Sequence, residues 1–130
     1  MFGQTPAFSG FSVDDLDAAE AFYGNTLGLA HDRDERGLRL HFFGGGTAFI
    51  YEKPDHVPAT FTVLNFAVRD VAPAVAILNE RGVTTKIYGD GELPGMITDA
   101  DGIMSDENGV PFIAWFRDPA GNVLSVVRAD

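Results

Sequence analysis

Residues 11–23, FSVDDLDAAEAFY, return 55 positions later as residues 66–78, FAVRDVAPAVAIL. Phe11 falls on Phe66, Val13 on Val68, Asp15 on Asp70, Leu16 on Val71, Ala19 on Ala74 and Ala21 on Ala76. Phe22 with Ile77 and Tyr23 with Leu78 extend the apolar match. Such an echo restricts the chain to two copies of one supersecondary unit. At 130 residues there is room for one cored domain and not for two ordinary ones, so both copies belong to a single domain spanning residues 1–130. The first module occupies about 5–55 and the second about 60–130.

Each copy opens with the two-residue alternation of a half-buried strand. Phe11 and Val13 point one way and Gly10 and Ser12 the other, and Leu64, Phe66 and Val68 repeat the pattern. The period then lengthens to that of a helix. Leu16, Ala19, Tyr23 and Leu27 follow the capping candidates Asp14 and Asp15, and Gly28 stops the run. In the second copy Asp70 is the expected cap, Val71, Ala74, Val75 and Leu78 form the stripe, and Gly82 ends it. Pro73 is tolerated because it lies in the first turn. Three strands are expected after each helix, near 29–34, 38–43 and 47–52, then 83–88, 110–117 and 122–128. The fold class is therefore α+β, two βαβββ modules whose curved mixed sheets enclose a cavity. An acidic segment with five glycines, residues 89–109, interrupts the second copy as a lid or a solvated loop.

Composition narrows the partners. A formal charge of −10 opposes phosphate backbones, whose binding rests on Lys and Arg, so no nucleic acid is expected. No apolar run reaches membrane-spanning length, so no membrane partner is expected either. Zero cysteines exclude a thiolate metal site or a cysteine nucleophile and fit a cytoplasmic location most simply. The opening MFGQTPAF lacks the basic and apolar regions of a secretory signal.

Hairpin phase assigns side chains to faces. A type I turn over Asp118-Pro119-Ala120-Gly121, with Gly121 left-handed, pairs Trp115 with Ser125 and Ile113 with Val127. A three-residue loop of Gly44, Gly45 and Gly46 pairs His41 with Phe49 and Arg39 with Tyr51. Leu40, Ala48 and Ile50, and Ala114, Leu124 and Val126, then suit a helix-covered surface. The opposite faces carry Arg39, His41, Phe49, Tyr51, Trp115, Ser125 and Val127, joined by Phe8, Gly10, Ser12, Val63 and Asn65 from the first strands.

The paired modules, the stretch SVDDLDAAEAFYGNTLGL and the closing FRDPAGNVLSVV resemble the vicinal oxygen chelate superfamily, which includes glyoxalase I, bleomycin-resistance proteins and extradiol dioxygenases. The likeness covers nearly the whole chain and implies a cavity-forming fold, commonly a homodimer. It also implies metal ligands at four positions, which here hold Phe8, Tyr51, Val63 and Ser125. Two of these have no donor atom, whereas a divalent ion needs imidazole nitrogen or carboxylate oxygen. No metal and no other cofactor is therefore expected. His31, His41 and His56 are scattered, and Glu52 would need the strand to slip by one residue to take Tyr51's place. DADGIMSDENG lacks the oxygen ligand and the glycine of a calcium loop, having Ile103 and Met104 there. Phe43 to Thr47 precedes a strand, not the helix N-terminus a phosphate would use.

What remains is an aromatic pocket. Phe8, Phe49, Tyr51 and Trp115 offer stacking surfaces, Val63 an apolar wall, and Arg39, His41, Asn65 and Ser125 polar contacts. These residues define a metal-independent small-molecule binder of the bleomycin-resistance type, taking a cationic or planar aromatic ligand. The alternatives are a lyase, isomerase or dioxygenase with atypical metal ligands, a metal-free enzyme with His41 as general base, or an interaction module without a small ligand.

Overall fold

In the computed structural model, which describes residues 1–92 and 94–129, the repeat becomes two compact units, Met1–Pro58 and Ala59–Asp130. In unit 1, β1 (Ser9–Val13) leads into α1 (Leu16–Glu20), and β2 (Ala30–Arg33), β3 (Leu38–His41) and β4 (Thr47–Glu52) follow. In unit 2, β5 (Thr62–Val68) leads into α2 (Val71–Glu80), followed by β6 (Ile103–Ser105), β7 (Pro111–Arg117) and β8 (Val123–Arg128). Both sheets are four-stranded with the same order, β1-β4-β3-β2 and β5-β8-β7-β6. The first strand of each unit lies parallel to the last, and the remaining pairs are antiparallel. The molecule is an α+β fold of two modules, as the repeat requires.

The helices start and stop where their caps dictate, with two differences. Asp15 adopts extended geometry and its carboxylate accepts the N–H of Ala18, while Glu52 accepts that of Leu16, so two of the orphan donors of α1 are satisfied. Asp70 stands at the matching place before α2, but contrary to expectation its side chain makes no capping bond. The expected continuous helix over 16–27 is also modified. After Glu20 it widens into a π-helical stretch, Ala21–Thr26, in which the N–H of Leu27 reaches the carbonyl of Phe22. Gly28 (φ 75) ends it, and Gly82 (φ 83) ends α2 in a Schellman motif, Val83 N–H to Leu78 O and Gly82 N–H to Asn79 O.

Under α1, the helix-side face of sheet 1 is fully apolar. Val13, Leu38, Leu40, Ala48 and Ile50 are buried beside Leu16, Ala19 and Tyr23, and Phe11 meets Tyr23 edge-on at 6.1 Å between ring centroids. Each large aliphatic side chain taken out of water here contributes about 1.5–3 kcal/mol. In unit 2, Val71, Val75 and Leu78 of α2 pack on β7 and β8, whose Ala114, Phe116, Leu124 and Val126 are buried.

One turn recurs in unit 2. At Asp99, Asp106 and Asp118 the aspartate carboxylate accepts backbone N–H groups ahead of it, and a glycine three residues later, Gly102, Gly109 or Gly121, has φ of 84, 78 or 87. Each closes a three-residue loop, bonding the aspartate N–H to the carbonyl four residues on. The N–H of Val110 and then the Arg128 guanidinium hold the Asp106 carboxyl below its usual range. In unit 1 the N–H of Arg36 does the same for Asp34.

Two sequence expectations need correction. Residues 83–88 form no strand, because this stretch is held by side chains instead of a ladder. Thr85 donates to the carbonyl of Asp101 at 2.6 Å, Asn79 donates to Thr85, and the Lys86 ammonium bonds the Thr98 hydroxyl and carbonyl. The first strand after α2 is instead Ile103–Ser105, inside the segment expected to be a lid or loop. Leu93 of that segment lies outside the described residues. The pairing of β3 with β4 is also displaced. Arg39 faces Phe49 and His41 faces Thr47, not Tyr51 and Phe49, because the loop is Phe43-Gly44-Gly45, closed by Phe42 N–H to Gly46 O. The displacement is two residues, so every side chain keeps its face.

Candidate functional site

The face of sheet 1 turned away from α1 collects the residues hairpin phase assigns to it. Phe49 lies between Gly10 on β1 and Arg39 on β3, and Tyr51 lies beside Ser12. The rings of Phe49 and Tyr51 are nearly parallel, 19° apart, with centroids at 6.3 Å. Phe8, just before β1, is 61% exposed and Tyr51 38% exposed, so aromatic surface is open to solvent. The Arg39 guanidinium carbon stands 5.0 Å from the Phe8 centroid and 5.4 Å from that of Phe49, joining the rings into one cluster. Gly37 makes this possible at the backbone. A Cβ there would overlap the carbonyl of Ile50 and the ring of Phe49.

Two histidines border the cluster. His41 at the end of β3 places Nε2 2.6 Å from the Asp32 carboxylate, with both side chains largely exposed. His56 places Nδ1 2.7 Å from the Ser12 hydroxyl. Sequence reasoning did not select His56. The signal was the turn Lys53-Pro54-Asp55-His56, closed by His56 N–H to Lys53 O, which folds the chain back after Lys53 N–H bonds the carbonyl of Val13. His31 is held elsewhere, by the Leu29 carbonyl and Glu20.

In unit 2 the matching face is built differently. Trp115 pairs with Ser125 as expected, but both are buried, Ser125 completely. Tyr88 packs edge-on against Trp115 at 5.5 Å, and the Ser125 hydroxyl donates to Asn65 Oδ1 at 2.5 Å. Asn65 itself is exposed, and Val63 falls at the register shift between Thr62 and Leu64, half-exposed. Unit 2 also has a recess of about 340 Å³ lined by Asn79, Val83, Thr85, Lys86 and Asp101, where the hydrogen bonds of the 83–102 segment already engage Asn79, Thr85 and Lys86.

The four positions at which the resemblance implies metal ligands offer no donor set for a divalent cation. Phe8 and Val63 have no donor, Tyr51 offers a phenol, and the Ser125 hydroxyl is buried on Asn65. Among the described residues no three His, Asp or Glu side chains cluster as ligands.

Residues 7–126 match the model of the Glyoxalase/Bleomycin resistance protein/Dioxygenase superfamily, and the chain belongs to that family. Its fold is similar to that of TnmS3, an antibiotic binding protein from Streptomyces sp. CB03234, at 24% identity and TM-score 0.62 over 98% of each chain. A bleomycin-binding protein complexed with bleomycin is similar at 20% identity and TM-score 0.67, over 98% of this chain and 100% of that one. Lactoylglutathione lyase from Agrobacterium tumefaciens is similar at 21% identity and TM-score 0.62, over 96% of this chain and 94% of that one. Such likenesses establish the fold, which binding proteins and enzymes share. No curated protein matches the chain in sequence.

Proposed function

We infer that this protein is a metal-independent small-molecule binder of the bleomycin-resistance type whose ligand is planar and aromatic. The observation that carries this reading is the open aromatic cluster of unit 1, where Phe8 and Tyr51 are solvent-exposed and Phe49 lies parallel to Tyr51. A flat guest stacked there gains about 0.5–1.5 kcal/mol per ring beyond the area it buries. Of the two ligand types the sequence allowed, this face favours the planar over the cationic, because Arg39 already sets a positive charge beside Phe8 and Phe49. Ser12 and His56 supply polar contacts at its edge. Structures that bind an antibiotic and bleomycin on the same fold support the class of function.

Trp115 and Ser125 then serve unit 2 by packing and hydrogen bonding, with Asn65 as the partner of Ser125. A cytoplasmic homodimer belongs to the same reading, since edge strands β1, β2, β5 and β6 leave backbone groups for a partner. Calorimetric titration with a panel of planar aromatic antibiotics tests the binding. At least one compound binds, and Phe49→Ala with Tyr51→Ala weakens it about tenfold or more. Silence across the panel, or one equivalent of tightly held metal per chain, would overturn the reading.

A second reading rests on the 2.6 Å contact of His41 with Asp32, the arrangement of a base and the group that orients it. There His41 abstracts a proton in a metal-free lyase or isomerase. Turnover lost in His41→Ala is its expected signature, and an unchanged rate removes it.

A further inference from the structure

The positive charge in the aromatic cluster belongs to one residue. Arg39 sits at the middle of β3, half-exposed, with Phe49 beside it on one strand and Asp32 on the other. Phe8 and Phe49 hold the plane of its guanidinium, but an aromatic ring satisfies none of its five N–H donors in the way a carboxylate does. Among the described residues the Arg39 side chain makes no hydrogen bond or ion pair.

Arg39 differs in this from the half-buried and bridged arginines of the chain. The other half-exposed arginine, Arg128, bonds Asp106 and the carbonyl of Pro111. Arg33 is bridged by Asp17 and Glu20. Asp32 is Arg39's cross-strand neighbour, yet its carboxylate goes to His41. Arg39 is thus held in place with its donors uncommitted, beside a platform of parallel rings.

The geometry points to an aromatic oxyanion as the ligand class: a planar ring system stacked on Phe49 and Tyr51 whose carboxylate or sulfonate takes the Arg39 guanidinium. This deepens the binding reading above and rests on it. A cationic guest would meet Arg39 as a like charge. The net charge of −10 does not reverse the preference, because at physiological salt charges beyond about 8 Å are largely screened while a contact ion pair is not. Two parallel N–H donors aimed at two oxygens also give a preference in orientation that a point charge lacks.

Three probes of one shape test this on the full chain by calorimetry: naphthoate, naphthamide and naphthylmethylammonium. Naphthoate binds at least about tenfold more tightly than the ammonium. In Arg39→Gln the naphthoate affinity falls by about tenfold while that of naphthamide changes less than about twofold, and Arg39→Lys falls between. Arg69→Gln, at an exposed arginine outside the cluster, leaves all three unchanged. Equal binding of the three probes, or an equal loss for all of them in Arg39→Gln, overturns the anion preference and leaves the aromatic binder standing. Failure of every probe to bind overturns both.

Discussion

The two halves of this chain build the same four-stranded sheet in the same strand order, but they treat its second face in opposite ways. Along β3 and β4 burial alternates, with Leu38, Leu40, Ala48 and Ile50 inside and Arg39, His41, Phe49 and Tyr51 less covered. Along β7 and β8 it runs on without a break, through Ala114-Trp115-Phe116 and Val123-Leu124-Ser125-Val126. Alternation marks a sheet covered on one face, and an unbroken run marks a sheet covered on both. A repeated unit can therefore keep its architecture while one copy buries both faces of its sheet and the other leaves one face open.

The contrast is sharpest in the rings. Trp115→Ala removes a nearly buried indole and is expected to cost about 3–5 kcal/mol in urea unfolding, whereas Phe49→Ala, from a half-open face, costs under about 1.5 kcal/mol. Equal costs would break the distinction. Glycines give a smaller effect of the same kind. At Gly102 (φ 84) an added methyl would overlap the Thr85 carbonyl, so Gly102→Ala costs about 2–3 kcal/mol, while at Gly28 (φ 75), with open space around it, the cost is about 1 kcal/mol of backbone strain. A Gly28→Ala variant as unstable as Gly102→Ala would show that unit 1 is packed as tightly as unit 2.

The smallest effect concerns where the units agree. Asp34 in unit 1 and Asp106 in unit 2 both titrate below the usual carboxylate range, chiefly because backbone N–H groups favour their charged forms. A lowered folded pKa contributes stability that is fully present above the unfolded carboxylate pKa, near about 4, and is lost as pH falls through the folded value. Asp34→Asn and Asp106→Asn should each flatten the acid limb of the urea midpoint against pH and lower the midpoint at neutral pH. An acid limb unchanged in either variant would contradict this account.

How much of this was legible beforehand depended on how tightly each turn was specified. Pro119 and Gly121 fix the last hairpin, so Trp115 and Ser125 pair as expected. Three consecutive glycines leave the phase of the β3–β4 loop open, and the pairing differs by two residues, a slip that cannot change a face. The strand expected at 83–88 failed because its place after the helix says nothing of where backbone bonds go, and here Thr85, Lys86 and Thr98 provide the hold. The aromatic face follows from period alone. The commitment of Asp32 to His41 rather than Arg39, and of His56 to Ser12, depends on side-chain geometry that no local pattern encodes.

Gly37 gives the aromatic face an unexpected contributor. The ring of Phe49 lies in the volume that a methyl group at position 37 would need, so the place of that ring is set by a buried residue with no side chain of its own. A side chain at position 37 would displace the Phe49 ring and the Ile50 carbonyl together, so that hidden position constrains sheet 1 as firmly as the rings themselves.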